Sequence, residues 1–285
     1  MKISVIGLGL MGKAIAARLQ AANFSVTGWN RSAHRLPAPA SGLRASTAPE
    51  ITADADTLLL TLSDAAAIDE TLFSTPGVST NAKMVVQTGT ISPAESRGLG
   101  DRIADAGGRY LEAPVLGSLP EAAAGRLIIM AGGSEKDFEY CRPVLEALGP
   151  EPRLIGGIGQ GAALKLAMNH LIAGLTAAFS ASLGLVRAEG IDPDIFMALL
   201  RESALYAPTF DKKLPKMLAH EYANPNFPLV HLLKDARLFA DTAGGHQIDV
   251  RVARALTDLF ADGVAAGHGA EDYSVLYETL NPGKA

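Results

Sequence analysis

The chain has 285 residues, 48% hydrophobic and 19% charged, with a formal net charge of −5. This is the composition of a globular chain long enough for about two domains, and it excludes the disordered and fibrous classes. The acidic balance excludes a general nucleic-acid binder, which needs basic surface to displace counterions. The single cysteine, Cys141, excludes an intramolecular disulfide and a multi-cysteine metal site, so no metal is expected and a reducing, cytoplasmic setting fits.

In chain order, short apolar runs predict strands at 3–7, 26–29, 57–61, 83–87, 109–112 and 127–131. Lys2 and the first of these runs lack a cleavage site, so a buried strand is expected there rather than a signal peptide. Helix-like stretches at 12–21, 93–106 and 135–148 lie between strands. Strands that read as continuous Val/Ile/Leu runs and alternate with helices imply parallel crossovers, hence a doubly wound, mostly parallel α/β sheet of the Rossmann type. After Gly156-Gly157 the strand signal stops. A long Ala- and Leu-rich helix is expected over 161–189, followed by helices at 193–201, 210–220, 229–243, 250–266 and 272–280. Lys165, Asn169 and His170 interrupt the apolar run at 162–186, so it is expected to be a buried helix, not a membrane span. The expected domains are 1–158, dinucleotide-binding, and 159–285, all-α.

Directly after the first strand stands Gly7-Leu8-Gly9-Leu10-Met11-Gly12, a G-x-G-x-x-G turn that opens a helix. Gly7 permits the tight turn, Gly9 allows close approach of a pyrophosphate, and Gly12 lets helix and strand pack closely. At the end of the second strand an NAD-selective site places Asp or Glu; here the chain has Asn30-Arg31-Ser32, with Arg35 close behind. Asn30 carries no charge to repel a 2′-phosphate, Arg31 offers a forked cationic donor and Ser32 a hydroxyl, which together favour NADPH/NADP⁺.

At the start of the second half, Lys165 and Asn169 are four residues apart and share one helix face among small and apolar neighbours. A buried ammonium needs a partner or a shifted pKa, and it could protonate the alkoxide formed when a carbonyl accepts hydride. On spacing alone this lysine reads equally well as one that snorkels its head to solvent.

These residues resemble the β-hydroxyacid dehydrogenase family, the 3-hydroxyisobutyrate dehydrogenase-like enzymes, over essentially the whole chain. Gly159, Gly161, Lys165 and Asn169 match the family's Gly-x-Gly-x-x-x-Lys-x-x-x-Asn motif in full, and Phe227 with Lys234-Asp235 looks like its later Phe and Lys-Asp stretch. Asn30-Arg31-Ser32 and Glu112-Ala113-Pro114-Val115 are most similar to the glyoxylate and succinic-semialdehyde reductases, which use NADPH. The resemblance implies Lys165 as general acid/base with Asn169 positioning it. It also implies Lys234 near cofactor and substrate, Phe227 walling the pocket, and Leu62, Ser63 and Thr90 touching the cofactor. The expected partner is a small carbonyl substrate, an aldehyde or 2-oxo acid, bound in the cleft between domains. A homodimer or homotetramer through the helical domain is implied as well.

Two departures bear on the substrate. Where the family has Asp-Ala-Pro-Val-Ser-Gly-Gly, this chain has Glu112 through Leu116-Gly117-Ser118, so leucine replaces the serine that holds a carboxylate. The backbone N–H groups of Gly117 and Ser118, and the Ser118 hydroxyl, are the donors left for it. Gly89, in Gln87-Thr88-Gly89-Thr90, removes a second small polar group. Both changes favour a less polar carbonyl. His170 is expected to turn about 100° away from the Lys165 face and to pack. Tyr206 and Asp211 are expected to pack between helices, and Cys141 to be a small buried hydrophobe. Two other readings compete: reduction of a C=N bond, as in the imine reductases, and a non-catalytic NADP-binding sensor or scaffold. Lys165 and Asn169 weigh against both.

Overall fold

The computed structural model of the chain describes residues 1–38 and 41–282 and divides into two compact units, Met1–Leu166 and Ala167–Ala285. In the first unit, parallel strands β1 (Lys2–Ile6), β2 (Ser25–Trp29), β3 (Arg44–Ser46), β4 (Thr57–Leu60), β5 (Met84–Gln87) and β6 (Arg109–Glu112) lie in the order 3-2-1-4-5-6. Beyond β6 the sheet changes direction. β8 (Ile128–Gly132) runs antiparallel to β6 and to the two-residue β7 (Val115–Leu116), and β9 (Arg153–Gly156) runs parallel to β8. Helices α1 (Leu10–Ala21), α2 (Ala65–Asp69), α3 (Pro93–Asp105), α4 (Leu119–Ala124) and α5 (Glu135–Leu148) complete this unit before α6 (Gln160–Ala188) begins.

The six strands expected from continuous apolar runs are all present, because burial on both faces leaves every residue of β4 and β5 enclosed. β3, β7 and β9 escaped the sequence pattern. β3 and β9 are short and partly exposed, and β7 has only two residues. Two apolar clusters enclose the sheet. One centres on Ile15, Leu19, Leu59 and Phe138, and the other on Trp29, Leu60, Val85 and Ile103. Cys141 is fully buried in the first, and burial pushes its thiol up to about 12, so it is inert packing.

The second unit is helical: the remainder of α6, then α7 (Pro193–Glu202), α8 (Pro208–Ala219), α9 (Leu229–Gly245), α10 (Arg251–Ala265) and α11 (Leu276–Leu280). They close over a core that includes Phe179, Leu183, Met197, Phe210, Leu232, Phe260 and Tyr277. The helix expected over 272–280 is interrupted: a 3₁₀ turn at Tyr273–Val275 precedes α11. The cause is Asp272, whose carboxylate accepts from the Ser274 N–H at 3.1 Å and from the Ser274 hydroxyl at 2.7 Å, tightening that turn. Tyr206 and Asp211 bond to each other, and Arg201 pairs with Asp211.

By length and composition α6 could cross a membrane. One face is covered, carrying Asn169, Ala173, Thr176 and Ser180, whereas Leu171, Leu175 and Leu185 stand exposed on the rest. The helix expected to be buried is covered along one face, and leucines remain exposed on the rest. The residues of α6 up to Leu166 fall in the sheet unit, so packing changes about two turns after the boundary expected at 158.

Candidate functional site

The glycine loop sits where the strand order reverses, between β1 and β4, the position at which open α/β sheets bind ligands. Gly7 takes φ +97°, a left-handed conformation, and its N–H donates to the Trp29 carbonyl at 2.9 Å. At Gly12 a Cβ would overlap the Gly7 carbonyl oxygen and the Thr61 hydroxyl. Thr61, just after β4, bonds to the Gly7 carbonyl and so locks the turn, a role the sequence pattern did not single out. Leu8 is fully buried, and its N–H donates to Asn30 Oδ1 at 2.9 Å.

The helix that follows is open to an anion. Gly9 caps α1 with no side-chain bond, and the first turn, Leu10, Met11 and Gly12, contains no acidic residue. In contrast, Asp64, Ser92 and Ser134 cap α2, α3 and α5 through their side chains. Unclaimed N–H groups at a helix N-terminus fit a pyrophosphate. Substituting Gly12 with alanine is expected to displace this turn and to raise the Kd for NADPH by about tenfold or more, read by fluorescence titration. Unchanged affinity would separate the turn from the dinucleotide.

Asn30 is buried and braces the loop, its Nδ2 donating to the Ser32 carbonyl at 3.0 Å. Arg31 pairs with Glu70 at 2.6 Å on the surface. Arg35 leans over the turn instead, its Nη1 3.7 Å from where a Cβ on Gly9 would stand. Two arginines thus flank the end of β2, and the nearer one to the glycine turn is Arg35. Leu62, Ser63 and Thr90 follow β4 and β5, with the Ser63 hydroxyl donating to Asp64 at 2.7 Å. Between these loops a Cβ on Gly89 would lie 2.5 Å from the Leu62 carbonyl oxygen. Close approach of the two loops, not only the loss of a polar group, accounts for glycine at 89.

In the loop after β6, Leu116 is half-buried and pairs with Ile128 across β7 and β8, and Gly117 takes φ +133°. Ser118 is engaged locally. Its N–H and its hydroxyl donate to Glu121 Oε2, at 2.8 and 2.5 Å, in a capping box that starts α4. Of the three donors expected for a substrate carboxylate, both of those on Ser118 are committed to that helix, which leaves the Gly117 N–H.

Lys165, only 8% exposed, lies on the first turns of α6, one turn before the buried Asn169. The turn before this helix is held by Glu112 at the end of β6. Its Oε1 accepts from the N–H groups of Gly159 and Gly161 at 2.8 Å and of Ala162 at 3.2 Å, and its Oε2 from the Ser96 hydroxyl. In the helical unit, Asn169 Nδ2 donates to Asp235 Oδ2 at 2.6 Å, and Lys234 Nζ stands 2.9 Å from Asp235 Oδ1. Asp235, 3% exposed, is therefore the joint between Asn169 and Lys234. Sequence reasoning quoted it within the Lys234-Asp235 stretch but gave it no role; an acid in the midst of an apolar helical pattern was the available signal. Phe227 meets Tyr273 edge to face, ring centroids 5.8 Å apart. His170 stacks on Phe239 at 3.9 Å, and burial lowers its pKa and keeps the ring neutral, as expected of a packing residue.

Residues 2–157 match the family model described as the NAD binding domain of 6-phosphogluconate dehydrogenase. Residues 159–280 match that of the NAD-binding domain of NADP-dependent 3-hydroxyisobutyrate dehydrogenase. The chain is 32% identical to glyoxylate/succinic semialdehyde reductase 2, chloroplastic, of Arabidopsis thaliana, over 99% of this chain and 80% of that protein. It is 31% identical to reductase 1 of the same plant, over 98% of each. A crystal structure of 3-hydroxyisobutyrate dehydrogenase from Salmonella typhimurium superposes with a TM-score of 0.87 at 26% identity, covering 98% of this chain and 99% of that one. Its fold is the one described above, and both matched models describe dinucleotide binding, the second in an NADP-dependent enzyme, in keeping with the open helix α1 and an NADP(H) cofactor. The chain belongs to the β-hydroxyacid dehydrogenase family of NAD(P)-dependent oxidoreductases, of the 3-hydroxyisobutyrate dehydrogenase type.

Proposed function

We propose that this chain reduces the carbonyl of a small aldehyde or 2-oxo acid with NADPH, Lys165 acting as general acid. The observation that carries this reading is a nearly buried lysine on the first turns of α6, one turn from an asparagine that a buried carboxylate orients. The names of the Arabidopsis relatives, glyoxylate/succinic semialdehyde reductases, support the same substrate class.

NADPH, when bound, would supply the hydride for the carbonyl carbon. The chain's own residues do the rest. The N–H groups at the start of α1 hold the pyrophosphate, and Arg31 and Arg35 neutralise the 2′-phosphate that no acid at Asn30 repels. Lys165 Nζ donates a proton to the carbonyl oxygen as charge develops there, and its positive charge stabilises that oxygen in surroundings with little water. Asn169 is held by Asp235 and limits the geometries open to the lysine. Because Ser118 is tied to Glu121 and the Leu116 side chain has no donor, a carboxylate on the substrate keeps the Gly117 N–H but few other partners in this loop; an aldehyde with its charge remote from the carbonyl suits the site better.

Steady-state NADPH oxidation with glyoxylate, succinic semialdehyde and a cyclic imine, with NADH in parallel, tests this. Carbonyl turnover is expected, with kcat/KM for NADPH about tenfold or more above that for NADH. Turnover of the imine alone overturns the proposal. The exposed Leu171, Leu175 and Leu185 on α6 support self-association through the helical unit, as a homodimer or homotetramer, in a cytoplasmic enzyme.

A further inference from the structure

The proposed mechanism uses Lys165 and leaves aside the carboxylate beneath the helix that carries it. Glu112 is 1% exposed and receives three backbone N–H groups on one oxygen and a hydroxyl on the other. A carboxylate in that position would be strongly disfavoured without such donors. The helix start is fully accounted for. The N–H groups of Gly159, Gly161 and Ala162 go to Glu112, that of Gln160 goes to the Gly157 carbonyl at 3.1 Å, and the helical ladder begins with Ala163 donating to Gly159 at 3.0 Å.

This cap does not come from the neighbouring sequence, as Ser92 and Ser134 do for α3 and α5. It reaches from the end of β6, 49 residues before Gly161, and β6 leads directly into the loop of Leu116, Gly117 and Ser118. Two glycines make room for it. A Cβ on Gly132 would overlap the Glu112 carboxylate, and one on Gly161 would lie 3.1 Å from Oε1 and closer still to the Met130 carbonyl oxygen. Lys165 follows Gly161 by four residues, so it stands one turn above the bonded N–H on the same face. Ser96 and Tyr110, from α3 and β6, complete the cluster, their hydroxyls 2.9 Å apart.

We infer that Glu112 is a positioning residue for Lys165, fixing the height and rotation of the first turn of α6 against the loop that follows β6. This rests on the reading of Lys165 as the acid. A displacement of about 1 Å at a reacting group can cost on the order of 100-fold in rate, so the effect should appear in kcat.

Glu112→Gln keeps the size of the side chain and an oxygen for the helix, while its amide can donate to Ser96; only the charge is lost. With succinic semialdehyde and glyoxylate as probe substrates, this variant is expected to lower kcat about tenfold or more and to leave the NADPH Kd within about twofold. A double-mutant cycle supplies the readout that a merely structural role would not move. In a Lys165→Ala background, Glu112→Gln should change the residual kcat by less than about twofold. Should Glu112→Gln fold poorly, as judged by its thermal midpoint, Ser96→Ala removes one partner of the same carboxylate and is expected to lower kcat in the same direction, again only when Lys165 is present. The inference is overturned by a wild-type kcat in Glu112→Gln, or by equal effects of that change with and without Lys165. Full turnover in Lys165→Ala alone would instead remove the reading of Lys165 as the acid, and the positioning role with it.

Discussion

Replacing Lys165 with alanine is expected to lower kcat by about three orders of magnitude, because the proton donation and charge stabilisation proposed for it at the carbonyl oxygen would disappear together. The NADPH Kd should stay within about twofold, since the pyrophosphate site proposed at the start of α1 does not include this residue. The split between a collapsed kcat and an intact Kd is what separates an acid from a residue that merely shapes the fold. Titration of the variant with NADPH by fluorescence and single-turnover oxidation of bound NADPH measure the two quantities separately. A fall in kcat of less than about tenfold would take proton transfer away from Lys165.

The second large effect concerns stability, in the helical unit. Lys213 Nζ lies 2.8 Å from both oxygens of Asp272, which is fully buried, and 4.2 Å from the Tyr273 ring centroid. Burial lowers the Lys213 pKa, and the Asp272 carboxylate partly offsets that. Asp272→Ala would leave the ammonium buried without its counter-charge and also release the turn at Ser274. The expected cost is about 3–5 kcal/mol, enough to lower the thermal midpoint of the helical unit by on the order of 10 °C. Adding Lys213→Met to that variant should restore a large part of the loss, because the stranded charge is the main source of it. If the single and the double variant unfold at the same temperature, the pair is not what holds this turn. Calorimetry on both variants decides it.

Much of the sheet unit was legible because its signals are local. A strand, a glycine turn and a helix follow one another within 21 residues, and Gly7 and Gly12 answer steric demands from the turn itself and from Thr61 and Leu62 just after β4. Strands β4 and β5 announce themselves by unbroken apolar runs, whereas β9, at the sheet margin, alternates exposed and half-exposed residues and gives no such run. The helix expected over 272–280 failed for a related reason: apolar spacing is blind to a carboxylate that bonds two residues ahead and to a lysine 59 residues back.

By itself the sequence determined a dinucleotide turn at Gly7, Gly9 and Gly12, the absence of an acid at Asn30, and a lysine and an asparagine on one face of a long helix. These depend on periodicity and on residues adjacent in the chain. Only the tertiary structure decided which polar groups are engaged: Arg31 with Glu70, Ser118 with Glu121, Asn169 with Asp235, and the start of α6 with Glu112. The last two pairs join residues 66 and 49 positions apart, and a hydrogen bond of that separation leaves no trace in local pattern. It exists because folding brings together, in a medium with little water, groups that must find partners or pay the full cost of desolvation.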